Sequence, residues 1–317
     1  NLVKKLKLDK QKKASSKEGY CKEGFLVLKM MRSVADRVRV ALIGLALLVF
    51  VAIFILPTDP TRISERTPVQ HVPEFVGSIT AEEWGIFNPE TGTILFASDE
   101  ESTRTIASTV KLFTAAAVLK SDARDTPLTI QVQDVAALGR AGRLTAGDVV
   151  TPYELVFPLV LESSNDAATA IERVLGTSLY TSISTLLVDA RLENTTIVDG
   201  SGLSPYNVST VFDLALFFSY LKHTAPHILD ISQLHRYLTD TAAYQNNNPG
   251  RTFDTFRGGK HGYTEEAKHT FLGAFSTRTN GGEVGIVLLG STDLIADIDT
   301  LYSFGRELVG SGILETL

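Results

Sequence analysis

The chain of 317 residues contains one cysteine, one tryptophan and two methionines. With Cys21 alone, no intramolecular disulfide can form and no CxxC metal motif exists. The body must therefore be held by its apolar core, and a domain of this length can bury roughly 70% of its unfolded surface. No H-E-x-x-H and no G-x-S-x-G occurs, which removes the zinc-peptidase helix and the nucleophile elbow of α/β-hydrolases. Basic charge is scarce in the body. Residues 1–39 hold twelve Lys and Arg against four Asp and Glu, a net of +8, so with a total of −6 the rest carries −14. An acidic body lacks the basic face that nucleic-acid phosphates require. Only five lysines follow Pro57: Lys111, Lys120, Lys222, Lys260 and Lys268.

What is present divides the chain. Residues 40–56, VALIGLALLVFVAIFIL, are seventeen residues without a charge, at the lower limit for a membrane-spanning helix. Arg32, Arg37 and Arg39 precede them, so the positive-inside rule places residues 1–39 in the cytoplasm and the body outside. A cleaved signal peptide is the rival reading. It should show a small-residue cleavage site, and ILPTDPTRIS offers none, so an uncleaved single-pass anchor is expected. Both methionines, Met30 and Met31, stand just before this stretch. Residues 1–29 thus read either as a basic tail or as an upstream extension of a chain started at one of them. Residues 57–76, rich in Pro, Thr, Arg and Glu, read as a linker, and 77–317 as one globular domain.

Within that domain, EEWGIFNPETGTILFASDE predicts strand, turn and strand. Helical periodicity is expected from Ser108 onward, over 151–175, over 209–222 and over about 292–309. HTFLGAFSTR and EVGIVLLGS flank Asn280-Gly281-Gly282, a hairpin signature. Strands at both ends with helices between them imply one sheet built from distant segments and covered by helices, an α/β (α+β) fold.

Three short stretches carry candidate chemistry. In Ser108-Thr109-Val110-Lys111, helical spacing sets the hydroxyl beside the amine, and a lysine of lowered pKa can take the serine's proton. Alone, the same pattern is an N-cap serine with an exposed lysine. Ser163-Ser164-Asn165-Asp166 lies among Leu159, Val160, Leu161, Ala167 and Ala168. There a hydroxyl and an amide either project into a cleft or cap a helix. Lys260-His261-Gly262 offers a cation on a strand, with glycines that would let a ligand approach, or else an exposed turn lysine. His223 and His227 have i, i+4 spacing, but Pro226 interrupts it, so they read as surface residues.

The order Ser-x-x-Lys, Ser-x-Asn, Lys-x-Gly, together with IASTVKLFTAAAVL, LVLESSNDAATAI, TTIVDGSGLSPYNVSTVFDLA and GGKHGYTEEAKHTFLGAF, resembles the serine-type D-alanyl-D-alanine carboxypeptidases, the low-molecular-mass penicillin-binding proteins. The likeness runs from about Gly77 to Val309. It implies a β-lactamase/transpeptidase-like fold: an antiparallel sheet flanked by helices, with an all-helical subdomain. It implies Ser108 as nucleophile, Lys111 as its base and Ser163 as proton relay. It also implies substrate contacts from Asn165, Lys260, His261, Gly262 and Tyr263, with the backbone N–H groups of Ser108 and Tyr263 as oxyanion hole. The implied partners are peptidoglycan stem peptides as substrate and β-lactams as inhibitors, at a bacterial cell membrane, with no cofactor or metal. One position departs from the pattern: His261 stands where the family places threonine or serine. A non-catalytic peptidoglycan-binding homologue and a serine β-lactamase are the alternatives; for the latter the nearest glutamate to a deacylating base is Glu193.

Overall fold

The computed structural model describes residues 74–136, 143–277 and 282–310, all within the compact unit Val69–Leu317. The basic segment, the expected anchor at 40–56 and the linker up to residue 73 lie outside the described residues. Among the described residues, no helix is long and apolar enough to cross a membrane.

Five strands form one antiparallel sheet: β1 (Glu83–Phe87), β2 (Ile94–Ala97), β3 (Phe256–Thr264), β4 (Lys268–Ser276) and β5 (Glu283–Ser291). Their spatial order is β2-β1-β5-β4-β3. The first strand of the sheet thus pairs with the last, and β2 and β3 form the two edges. The two expected hairpins are present: β1 and β2 pair through Gly85↔Ala97, and β4 and β5 through Leu272↔Val287.

Side chains alternate across this sheet, and both faces are buried. Ile86, Phe271, Phe275, Val284, Ile286 and Leu288 join one core with helix α7 (Leu294–Gly310), numbered last among the seven described α-helices. Phe75 packs its ring against Trp84, Phe96 and Phe304, so the packed body begins inside the stretch read as linker. The other set, Phe87, Leu272, Ala274, Val287 and Leu289, faces the larger helical core. Double-sided burial explains why EVGIVLLGS is an almost unbroken apolar run.

The centre of the helical side is α1 (Lys111–Lys120). Its residues Leu112, Phe113, Ala115, Ala116, Ala117 and Val118 are all buried, as are Lys111 and Thr114. A helix buried on every side carries apolar residues all round. Around it stand α2 (Pro152–Leu161), α3 (Asn165–Leu175), α4 (Thr177–Asp189), α5 (Val211–Thr224) and α6 (Pro226–Gln233).

Two helical expectations are corrected. The segment 151–175 is two helices, not one. Thr151 and Glu154 form a capping box at the start of α2, and the chain breaks at Glu162–Ser164 before α3. Helix α4 was not foreseen because TSLYTSISTLLVD is dominated by residues of modest helix propensity. Burial of Leu179, Ile183 and Leu186 on one face overrides that propensity, and Thr181 and Thr185 satisfy their hydroxyls on carbonyls one turn back.

Phe113 of α1 stacks on Phe217 of α5 at 3.6 Å between ring centroids and 9° between planes, both fully buried. Phe113→Ala should cost about 3–5 kcal/mol of unfolding free energy. Chemical denaturation of the wild type and the variant measures it, and a loss below about 1 kcal/mol would contradict a tightly packed α1.

Candidate active site

The site lies where α1, the α2–α3 break, the loop 199–204 and the edge strand β3 meet. Ser108 is on a 3-10 turn, Ala107–Val110, that leads directly into α1. Ala107, just before it, has φ 43°. A non-glycine residue there stores strain that its surroundings must hold. Thr270 of β4 provides a clamp: its Oγ1 donates to the Ile106 carbonyl at 3.0 Å and lies 3.1 Å from Thr109 Oγ1. Ser108 is half-buried, while Thr109, Val110 and Lys111 are buried. As a first-turn residue, its N–H has no intrahelical acceptor and can serve an oxyanion.

Lys111 is fully buried, contrary to an exposed-lysine reading. Its Nζ lies 3.0 Å from Ser108 Oγ, donates to Asn165 Oδ1 at 2.9 Å and donates to the Ser201 carbonyl. Three partners match the three N–H groups of an ammonium. When the amine is neutral, Asn165 Oδ1 and the Ser201 carbonyl can only accept, so they take the two remaining N–H groups. The lone pair is then left facing the Ser108 hydroxyl. Burial lowers the Lys111 pKa to about 7, and the negative charges of Asp199 and Glu172 limit the fall. A neutral amine is therefore well populated at physiological pH.

Ser163 occupies the break between α2 and α3 with φ 59°. Of four non-glycine residues with positive φ among the described residues, two thus sit at this site, as stored strain often does. The capping role falls to its neighbour, since Ser164 Oγ accepts from the Ala167 N–H at 3.1 Å and caps α3. Ser163 is left half-buried at the break. Asn165 is the first residue of α3, which aims its amide oxygen at Lys111.

Lys260 differs from the expectation of a cationic head in a cleft. It is fully buried in β3 and donates to the His261 carbonyl at 2.6 Å. Burial, and next the adjacent Lys111, push its pKa well below the ordinary lysine value. Two buried amines disfavour each other's charge, and a carboxylate arriving beside them would relieve both. His261 is half-buried, Gly262 buried and Tyr263 54% exposed, its ring 4.7 Å from that of His269.

Gly262 of this strand serves the protein itself. A Cβ on Gly262 would lie 2.5 Å from the Ser108 backbone nitrogen and 2.8 Å from Thr270 Oγ1. What approaches Gly262 is the backbone of Ser108, so β3 and the 3-10 turn are in direct contact. Gly202, at φ +84°, does the same from the other side, where a Cβ would lie 2.1 Å from the Ala107 carbonyl oxygen.

Sequence reasoning missed the loop 199–204 as a working part. Asp199 is its hub, accepting from the Ser201 N–H and hydroxyl, the Gly202 and Ser204 N–H groups and Asn207 Nδ2. Burial alone would raise the Asp199 carboxyl, but these hydrogen bonds outweigh it and hold it below the usual range. An aspartate followed by Gly-Ser-Gly-Leu-Ser is the available signal, since short polar and glycine residues can fold their N–H groups back onto one carboxylate. The Ser201 carbonyl, being backbone, has no signature. Among the described residues, no three His, Cys, Asp or Glu side chains gather to hold a metal ion. His223 and His227 lie on separate helices with largely exposed side chains.

Fold and site together define an antiparallel sheet covered by helices, with a serine hydroxyl set against a buried lysine amine at the start of the central helix. The sequence matches the family of D-alanyl-D-alanine carboxypeptidases over residues 67–293, and the chain belongs to that family as a serine peptidase. The crystal structure of the D-alanyl-D-alanine carboxypeptidase from Mycobacterium tuberculosis H37Rv is similar at TM-score 0.67 and 22% identity, over 73% of this chain and 93% of that one. A single-residue mutant of the Streptomyces K15 DD-transpeptidase is similar at 0.63 and 25%, over 75% and 100%. Penicillin-binding protein D2 from Listeria monocytogenes, in its cefotaxime-bound form, is similar at 0.64 and 23%, over 76% and 100%. No curated protein matches the chain.

Gly262→Ala should leave a folded protein whose 3-10 turn is displaced from β3. Acylation by a fluorescent penicillin should slow by about 100-fold or more, since a 1 Å misplacement costs that much. A rate within about threefold of wild type, at unchanged melting temperature, would show that Gly262 does not set the Ser108 backbone.

Proposed function

We propose that the protein is a membrane-anchored D,D-carboxypeptidase that removes the terminal D-Ala of peptidoglycan stem peptides through an acyl-enzyme on Ser108. The observation that carries this is the Lys111 amine, buried, pKa near 7, 3.0 Å from Ser108 Oγ and fixed by two other acceptors. Ser108 Oγ attacks the carbonyl of the penultimate D-Ala as its proton passes to Lys111 Nζ. The Ser108 and Tyr263 N–H groups hold the oxyanion. The C–N bond then breaks. The proton returns from Lys111 through Ser163 to the departing amine, which leaves as D-Ala. Water, deprotonated by the same lysine, attacks the ester, and Ser108 recovers its proton as the shortened peptide leaves. Asn165 holds the substrate amide once the peptide competes with Lys111 for it. Lys260 acts on the terminal carboxylate through its field, with His261 and Gly262 lining the path.

β-Lactams present the same acyl group and carboxylate, so they should acylate Ser108. The cefotaxime carried by the Listeria relative supports this. The apolar segment 40–56 and the arginines before it support a single-pass anchor with the catalytic domain outside the bacterial membrane, where peptidoglycan is. His261 favours a second reading, a peptidoglycan-binding homologue without turnover. A β-lactamase reading finds little support at Glu193, which is exposed and lies beside Asp213.

The full chain in detergent, incubated with fluorescent penicillin and a D-Ala-D-Ala peptide, separates the three. D-Ala release and stable labelling, both lost in Ser108→Ala, are expected; rapid penicillin turnover would mean a β-lactamase, and no labelling a binding protein. Because Lys111 must be neutral to accept the proton, acylation should rise with pH and level off above about 7. His261 adds a separate pH effect. An imidazolium favours the substrate carboxylate, so KM should fall on acidification in wild type and lose that dependence in His261→Thr. Superimposable KM profiles would remove any role for the histidine in binding.

A further inference from the structure

The lone pair of Lys111 faces Ser108 only while two acceptors hold the rest of the amine. Asn165 supplies one of them from α3. The other, the Ser201 carbonyl, belongs to a loop, and that loop is gripped one residue earlier, at Gly200. Thr114 of α1 donates from Oγ1 to the Gly200 carbonyl at 2.8 Å. Glu172 of α3 accepts the Gly200 N–H on Oε1. Glu172 is seven residues after Asn165, two turns on, so both project from one face of α3. Tyr180 of α4 fixes that carboxylate in turn, donating its hydroxyl to the same Oε1 at 2.7 Å. One helix face therefore provides both acceptors, one directly and one through Gly200.

We propose that Glu172 is a positioning residue of the carboxypeptidase reaction, holding the Ser201 carbonyl on Lys111 through Gly200. The proposal rests on reading Ser108 and Lys111 as nucleophile and base. The charged groups facing Lys111 are Glu172 from α3, Asp199 from the loop and Lys260 from β3. Asp199 is occupied by five donor groups that shape its own loop. Glu172 combines a hold on the loop with a charge near the base, so the two can be separated by substitution. Tyr180, whose pKa is raised by burial and by Glu172, stays neutral and remains a donor at working pH.

Glu172→Gln keeps the side-chain length and an oxygen acceptor but removes the charge. Glu172→Asp keeps the charge but withdraws the carboxylate by one methylene. Two measurements on the full chain in detergent read them. One is the titration of Lys111 by NMR of 15N-lysine-labelled protein, assigned with Lys111→Arg. The other is the acylation rate by fluorescent penicillin against pH. In Glu172→Gln the Lys111 midpoint should fall by about one pH unit, and the acid limb of acylation should move with it. In Glu172→Asp the midpoint should stay while the plateau rate falls by about tenfold or more. A Glu172→Gln midpoint within about 0.2 units of wild type would overturn the charge role, and a Glu172→Asp plateau equal to wild type would overturn the positioning role. A merely structural glutamate would lower the melting temperature of both variants and move neither reading. The NMR titration needs no turnover, so a wild type that neither labels nor releases D-Ala would sink the carboxypeptidase reading while Glu172 is still tested.

Discussion

The burial of Lys111 is the constraint around which the rest is arranged. A charged amine taken out of water is costly unless its donors are met, and an unmet one shifts toward the neutral form. This chain meets all three, yet with one hydroxyl, one amide oxygen and one carbonyl, none of them a negative charge. The carboxylates that temper the cost, Asp199 and Glu172, stand one layer further out and are themselves occupied by backbone N–H groups. The amine is consequently held at the border between charged and neutral. An ion pair in direct contact would have stabilised the lysine more and disabled it as a base.

That arrangement accounts for the odd features of the backbone. Ser108 sits one helical turn before the lysine, on a 3-10 turn entered through a left-handed alanine. The strain is held from both sides. Thr270 binds the Ile106 carbonyl, and Gly262 and Gly202 come so close that neither has room for a Cβ. The break between α2 and α3 has the same logic. Stopping the helix after Leu161 leaves Ser163 half-buried in the break and starts α3 with Asn165 facing the lysine.

Much of this was legible in the sequence, and the illegible part has a physical pattern. The strands, the two hairpins and the helix carrying Lys111 declared themselves by period and turn residues. Each of the three short motifs had an ordinary structural reading, and only their order and flanks outweighed it. The break at 162–164 was missed because apolar periodicity runs through it, and a cap by Ser164 looks the same whether one helix or two are present. Helix α4 was missed because its stability comes from the face it buries, which propensity does not record. The loop 199–204 was noticed as a block of residues but not as a device, because its contribution is a backbone carbonyl. Lys260 was placed correctly on its strand and assigned too exposed a position. Strand alternation tells which face a residue is on, not how deeply that face is covered: Lys260 is fully buried, while Arg257 and Tyr263 on the opposite face are exposed.

The burial of Lys260 also changes what the unusual His261 means. If the lysine head reached into the cleft, the neighbouring side chain would share the work of binding a carboxylate directly with it. Instead the lysine is spent on the His261 carbonyl, beneath the strand. What then remains to recognise an anion here is whatever donor position 261 itself presents, beside two buried amines whose charged forms an arriving carboxylate would favour. A threonine hydroxyl offers one donor at all pH values, whereas an imidazole offers a second N–H and a charge only when protonated. The site's acylating half, Ser108 with Lys111, depends on a neutral amine and so on higher pH. Its anion-binding half, with histidine in place, gains from lower pH. On the proposed reading the two demands pull in opposite pH directions, so histidine at 261 would narrow the working range relative to threonine.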